Sequence, residues 1–148
     1  MILGVIYDPI RDEMFAAEKG QGFTVNGVAA QVTDYSKLSD GLLAFDAGYN
    51  YERNRELLAM AGSLRENSHC MRALGSMALA LAYIACGRIT AYLQRFVYPW
   101  DIAAGILMIA EAGGVTTDWN NSPARLSSDQ IIASNGKVHR ELIELLKR

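Results

Sequence analysis

An α/β layered sandwich is the fold class that this sequence predicts, and three observations predict it. Hairpin signals crowd the first thirty residues. From Leu42 onward, short apolar runs alternate with segments of helix length, and two of those segments are apolar almost all the way round. Strands alternating with such helices imply helices laid over a sheet, and a helix without a polar face must be covered on nearly every side. Residues 1–38 are therefore expected as an antiparallel β region and residues 39–148 as an α/β layer.

Each element has a local cause. Ile2 to Tyr7 is an apolar run closed by the turn signal Asp8-Pro9, and Met14 to Ala17 is a second run after the polar Arg11-Asp12-Glu13, which together read as a hairpin. Gly20-Gln21-Gly22, Phe23-Thr24-Val25 and Asn26-Gly27 add a strand and a tight turn, because Asn-Gly supplies the two positive φ angles that short hairpin turns require. Leu42 to Asp46 reads as a strand, Arg55 to Leu64 as an amphipathic helix and Cys70 to Leu74 as a strand. Met77 to Cys86 is an apolar helix, Ile89 to Leu93 a strand, and Ile102 to Ala112 a second apolar helix. Val115 to Thr117 and Ile131 to Ser134 read as short strands, and Val138 to Leu146 as a closing helix. The first apolar helix has Ser76 as a natural N-cap and stops at Gly87. The second opens with Asp101 after Pro99-Trp100 and stops at Gly113-Gly114.

Composition narrows the function. The chain has 148 residues, 51% of them hydrophobic, enough for one core of ordinary domain size. A formal charge of −2 with both signs spread along the chain offers no basic stripe for a phosphate backbone, so no nucleic-acid partner is expected. No apolar run approaches the roughly 18 residues of a membrane span, and no basic segment precedes the apolar start, so neither membrane insertion nor secretion is expected and the location reads as cytoplasmic. Cys70 and Cys86 have no CxxC partner and read as small core residues of a protein in a reducing compartment.

The residues that could carry chemistry lie at helix starts. Asp101 fits an N-cap, which its carboxylate would serve through free backbone N–H groups and the helix dipole; it also fits a metal ligand, since Ala103, Ala104 and Gly105 let other backbone approach the first turn. Ser76 is either a plain N-cap or part of an anion or hydroxyl site, because unpaired N–H groups at a helix start suit both. Gly75 allows close approach or simply turns the chain. Gln94 and Arg95 are either a solvated strand end or part of a binding site. His69 and His139 have no spaced partner that would make a zinc site.

The run Trp100-Asp101-Ile-Ala-Ala-Gly-Ile-Leu-Met-Ile-Ala-Glu-Ala-Gly113-Gly114 resembles the C-terminal signature of the inositol monophosphatase family. Gly4-Val-Ile-Tyr-Asp-Pro, Glu18-Lys-Gly-Gln-Gly-Phe, Asn26-Gly27, Arg72-Ala-Leu-Gly75-Ser76, Leu81-Ala-Tyr-Ile-Ala-Cys-Gly87-Arg88 and Ala91-Tyr92 agree in order and spacing. The resemblance spans essentially the whole chain. It implies the C-terminal half of the fold shared with fructose-1,6-bisphosphatase-like sugar phosphatases, with residues 1–38 as a remnant of the N-terminal sheet layer. It also implies a Mg²⁺-dependent enzyme acting on a small-molecule phosphate monoester, with Asp101 as a metal ligand and Gly75, Ser76 and Met77 as the substrate-contacting segment. Gln94 stands where many members carry a glutamate that accepts hydrogen bonds from inositol hydroxyls. An amide keeps one acceptor, adds two donors and loses the charge.

The family's Asp-Pro-x-Asp-Gly-Thr segment is missing from these residues, as is its upstream glutamate pair; Asp8-Pro9-Ile10-Arg11-Asp12 echoes the segment without the Gly-Thr. A single carboxylate holds Mg²⁺ poorly, so the chain alone is expected to be inactive. Met1-Ile-Leu-Gly-Val opens directly in an apolar strand, which reads as a start inside a longer protein. An open strand edge and an uncovered apolar face favour self-association, and a homodimer with Ile2 to Ala17 near its interface is expected. Arg72 is expected in an internal or intersubunit salt bridge.

Overall fold

The computed structural model describes residues 1–46 and 51–147, and at 51–54, 56, 57 and 61 the backbone alone. Four antiparallel strands come first: β1 (Leu3–Asp8), β2 (Glu13–Glu18), β3 (Gly22–Val25) and β4 (Val28–Ala29), paired in that order. Asn26 and Gly27, at φ 49° and 79°, make the tight turn that the dipeptide predicts. The two-residue β4 was not expected, since so short a run shows no alternation to read.

The second part alternates as expected: β5 (Leu42–Phe45), α1 (Tyr51–Glu66), β6 (Cys70–Arg72), α2 (Met77–Ala85), β7 (Ala91–Arg95), α3 (Pro99–Glu111), β8 (Val115–Thr117), β9 (Gln130–Ser134) and α4 (His139–Leu146). The sheet order is β6-β5-β7-β9-β8. β5 runs parallel to both β6 and β7, whereas β9 is antiparallel to its neighbours.

Alternation along β5 and β7 divides the interior, because successive side chains of a strand point to opposite faces. Ala44 and Tyr92 face a core shared with Leu81 of α2, Met108 and Ile109 of α3, and Phe15 and Phe23 of the first sheet. Leu43, Ala91 and Leu93 face the other way, onto Leu64 of α1 and Leu142 and Leu146 of α4. The order of layers is thus first sheet, α2 with α3, second sheet, α1 with α4. Being enclosed between two sheets explains why α2 and α3 carry no polar face.

Small residues set the spacing of the middle layer. A Cβ on Gly105 would lie 2.4 Å from Leu81 Cδ1, and one on Gly4 would lie 3.1 Å from Ala104 Cα. The helix α3 is therefore in close contact with α2 on one side and with the backbone of β1 on the other.

Three expectations are corrected. The helix α3 begins at Pro99, with Tyr98 as N-cap and Asp101 in the third helical position; proline suits the first helical position because its missing N–H would go unpaired there anyway. The strand of Ile89 to Leu93 is displaced to Ala91–Arg95. That displacement buries Gln94 at 7% exposure, which excludes the solvated strand end.

Candidate active site

Parallel strands send their chains out at one end of the sheet, and in open α/β sheets that end is where ligands bind. Here β6 leads through Gly75 and Ser76 into α2, and β7 leads through Tyr98 into α3. The N-termini of both middle-layer helices therefore stand over the carboxyl ends of β5, β6 and β7. The pairings Ala44 with Tyr92 and Phe45 with Leu93 place Asp46 level with Gln94 at that same end.

Asp46 ties the end together. Its Oδ1 accepts hydrogen bonds from the backbone N–H of Leu74 at 3.1 Å and of Gly75 at 2.8 Å, and its Oδ2 accepts one from the Tyr92 hydroxyl at 3.1 Å. The same hydroxyl meets the side-chain amide of Gln94. Burial pushes the Tyr92 phenol far above its ordinary value, the charge and hydrogen bond of Asp46 push it further, and the charge of Asp101 adds to the same effect. Asp46, Gly75, Tyr92, Gln94 and Asp101 thus form one neighbourhood, although 55 residues separate its ends in sequence.

Asp101 is not in a closed core. It is half-buried, and next to it in sequence the exposed rings of Tyr98 and Trp100 stack on each other with centroids 4.8 Å apart. Its Oδ2 accepts from the Tyr98 N–H at 3.1 Å, and its own N–H donates to the Tyr98 carbonyl at 3.0 Å. Among the described residues this engages only one of the two carboxylate oxygens. Ser76 is the N-cap of α2, with its Oγ accepting from the Leu79 N–H at 3.4 Å. Gly75 is exposed with φ 75°, a conformation that favours glycine, and Met77 is buried.

The chain belongs to the inositol monophosphatase family. The family model matches residues 1–148. Inositol-1-monophosphatase of Synechocystis sp. is 38% identical over 147 residues, covering 97% of this chain and 50% of that protein. The Nus factor SuhB of Pasteurella multocida is 34% identical, covering 98% of this chain and 55% of the relative. Among solved structures, an inositol monophosphatase from Anabaena (Nostoc) sp. superposes with a TM-score of 0.91 at 36% identity, over 99% of this chain and 58% of that one. The chain spans about half the length of the curated relatives it matches.

No local pattern in the sequence marks Asp46 and Tyr92 as neighbours of Gly75 and Gln94. Their hydrogen bonds join positions 28 to 46 residues apart, and such contacts leave no local pattern. Arg72 makes no salt bridge among the described residues and donates to the carbonyl of Met71. Arg88 forms a two-pronged pair with Glu13 at 2.6 and 2.7 Å and lies over the ring of Tyr83, which makes it a tie between α2's end and the first sheet. Within the described residues no three His, Cys, Asp or Glu side chains converge on one point, and no helix is long and apolar enough to cross a membrane.

Proposed function

We propose that this chain is part of a Mg²⁺-dependent phosphomonoesterase of the inositol monophosphatase kind, acting on an inositol phosphate or a related sugar phosphate. The observation that carries the reading is Asp101, a half-buried carboxylate with one oxygen uncommitted among the described residues, in one neighbourhood with Gln94 and the start of α2. A hard oxygen donor of this sort suits Mg²⁺, and the remaining carboxylates would come from outside these 148 residues. Bound metal would supply an activated water and charge stabilisation for the departing sugar oxygen.

This chain's own residues orient the substrate. Asp101 is held at a fixed angle by the Tyr98 N–H. The N–H groups of Met77 and Ala78 in the first turn of α2 have no partner among the described residues, which suits a hydroxyl or an anionic oxygen. Gly75 and Ser76 bring that turn close to the ligand, and Gln94 meets a sugar hydroxyl. Fructose-1,6-bisphosphatase-like and nucleotide 3′-phosphatase-like substrates use the same arrangement, so the leaving group is decided by residues around it.

One carboxylate does not hold Mg²⁺, so the isolated chain has no turnover in this reading. In the protein completed with the family's other half, Asp101→Asn removes Mg²⁺-dependent phosphate release while leaving the melting temperature nearly unchanged. Undiminished turnover would overturn the assignment. A second reading, a non-catalytic interaction fragment, draws on the relatives named Nus factor. Calorimetric Mg²⁺ binding to the completed protein, lost in Asp101→Asn, favours the enzyme; equal binding in both favours the fragment.

Self-association belongs to the same proposal. β1 is an edge strand, and Leu3, Val5, Tyr7 and Met14 expose an apolar face on it and on β2, a combination that templates pairing with another chain. A symmetric dimer uses the same patch on both copies. Light scattering at micromolar concentration is expected to give a dimer mass, and a stable monomer would refute this part.

A further inference from the structure

The Tyr92 hydroxyl has a single proton and two neighbours that could take it: Oδ2 of Asp46, and the side-chain amide of Gln94, placed with its carbonyl oxygen toward the phenol. Shared between both it would make two weak bonds, so the two compete for it. Asp46 already accepts two backbone N–H groups on its other oxygen, so its carboxylate acts as an acceptor on every side. A charge-assisted hydrogen bond is roughly twice as strong as a neutral one, so the proton belongs to Asp46. The phenol oxygen then offers Gln94 only lone pairs, and what faces it must be a donor. The oxygen and nitrogen of an amide occupy equivalent positions, so hydrogen bonding decides which one faces the phenol.

We propose that Asp46 and Tyr92 are positioning residues that hold Gln94 with its NH₂ group against the phenol and its carbonyl oxygen turned toward the ligand, so that position 94 accepts a hydrogen bond from a substrate hydroxyl. The direction follows from the sheet. Tyr92 and Gln94 are two residues apart on β7 and so share the face toward α2 and α3, at the end where Asp101 lies. The other amide atom of Gln94 makes no hydrogen bond among the described residues. A glutamine oriented in this way offers the ligand what a carboxylate would offer, an acceptor, without its charge. A glutamate at 94 would leave two acceptor-only groups competing for one phenol proton; the pairing of Asp46 with an amide at 94 removes that conflict. The inference rests on the reading of Gln94 as a contact to a polyol.

The test separates the two. In the 148-residue chain with ¹⁵N-labelled glutamine, the Gln94 amide protons, assigned by their loss in Gln94→Met, are expected to show nuclear Overhauser contacts to the Tyr92 ring. In Asp46→Asn the new amide donates to the phenol oxygen, the phenol proton passes to Gln94, and those contacts should weaken as the Gln94 amide turns over. Their absence in the parent protein, or their persistence unchanged in Asp46→Asn, overturns the proposal. Should Asp46→Asn fail to fold, Gln94→Glu gives a second measurement: its midpoint of denaturation is expected to fall, and an unchanged midpoint counts against the proposal. Titration with myo-inositol in the completed protein then tests the site reading. A Gln94 amide oriented as described but silent to myo-inositol tells against the polyol and leaves the positioning intact.

Discussion

Glu111 ends α3 with both carboxylate oxygens in use: Oε1 accepts from the Gly20 N–H at 2.9 Å and Oε2 from the Gly22 N–H at 3.0 Å. These bonds hold its carboxyl below the usual carboxylate range and clamp the turn between β2 and β3. The glutamate of the family signature is in this chain a structural tie between helix and sheet. A lowered folded-state pKa means that the clamp contributes above the ordinary carboxylate value and is lost as pH falls through the folded value. Glu111→Gln should speed amide hydrogen exchange at Gly20 and Gly22 while sparing Gly75; unchanged exchange would show the turn stands without it.

His139 sits between two hydroxyls, Nε2 2.9 Å from Thr117 Oγ1 and Nδ1 2.9 Å from Ser134 Oγ. The Thr117 hydroxyl donates to the Asp118 carbonyl, and Ser134 Oγ accepts from the Gly136 N–H. One tautomer satisfies every group: Nε2–H donating to Thr117, Ser134 O–H donating to Nδ1. Burial holds the imidazole below its ordinary value of 6.5. The unfolded chain therefore binds the proton first, and stability present above about pH 6.5 declines as pH falls below it. Denaturant midpoints between pH 7.5 and 5 check this, and His139→Gln should flatten the profile at some cost in stability. The sequence shows only that His139 lacks a metal-spaced partner; its two hydroxyl partners are supplied by β8 and β9.

At the scale of elements, periodicity and punctuation are legible where they act locally. Gly-rich and Asn-Gly turns gave the first sheet, and the apolar runs before Gly87 and Gly113 gave α2 and α3. The start of α3 was misplaced because an aspartate is favoured both at the N-cap and at the third helical position, where it reaches back to the N-cap N–H; only the backbone distinguishes them. The small residues Ala104 and Gly105 permit close approach, and that approach is made by Leu81 and β1. Gly105→Ala is expected to cost about 1–3 kcal/mol through overpacking, seen as a lowered denaturation midpoint. A neutral result would mean that α2 can move aside. Asp46 has no local mark because its partners come from two distant segments, the turn at Leu74 and Gly75 and the strand β7.

At the scale of the whole molecule, the layers explain why an apolar helix pair could be recognised before its surroundings were known: nothing but a sheet on each side makes such a pair soluble. Phe15 and Phe23 of one sheet and Tyr92 and Ile131 of the other belong to a single core through α2 and α3. Neither sheet can leave without baring a helix surface that has no polar side to show to water, so a half-opened molecule has no stable form. Heat should accordingly melt the chain in one step, with calorimetric and van't Hoff enthalpies equal, and the slowest-exchanging amides should lie in the two buried helices and the strand β7. The sheet end that carries Asp101 and Ser76 inherits that stiffness: both residues are borne by the two helices enclosed between the sheets, so whatever meets that end meets a surface set in advance by the middle layer.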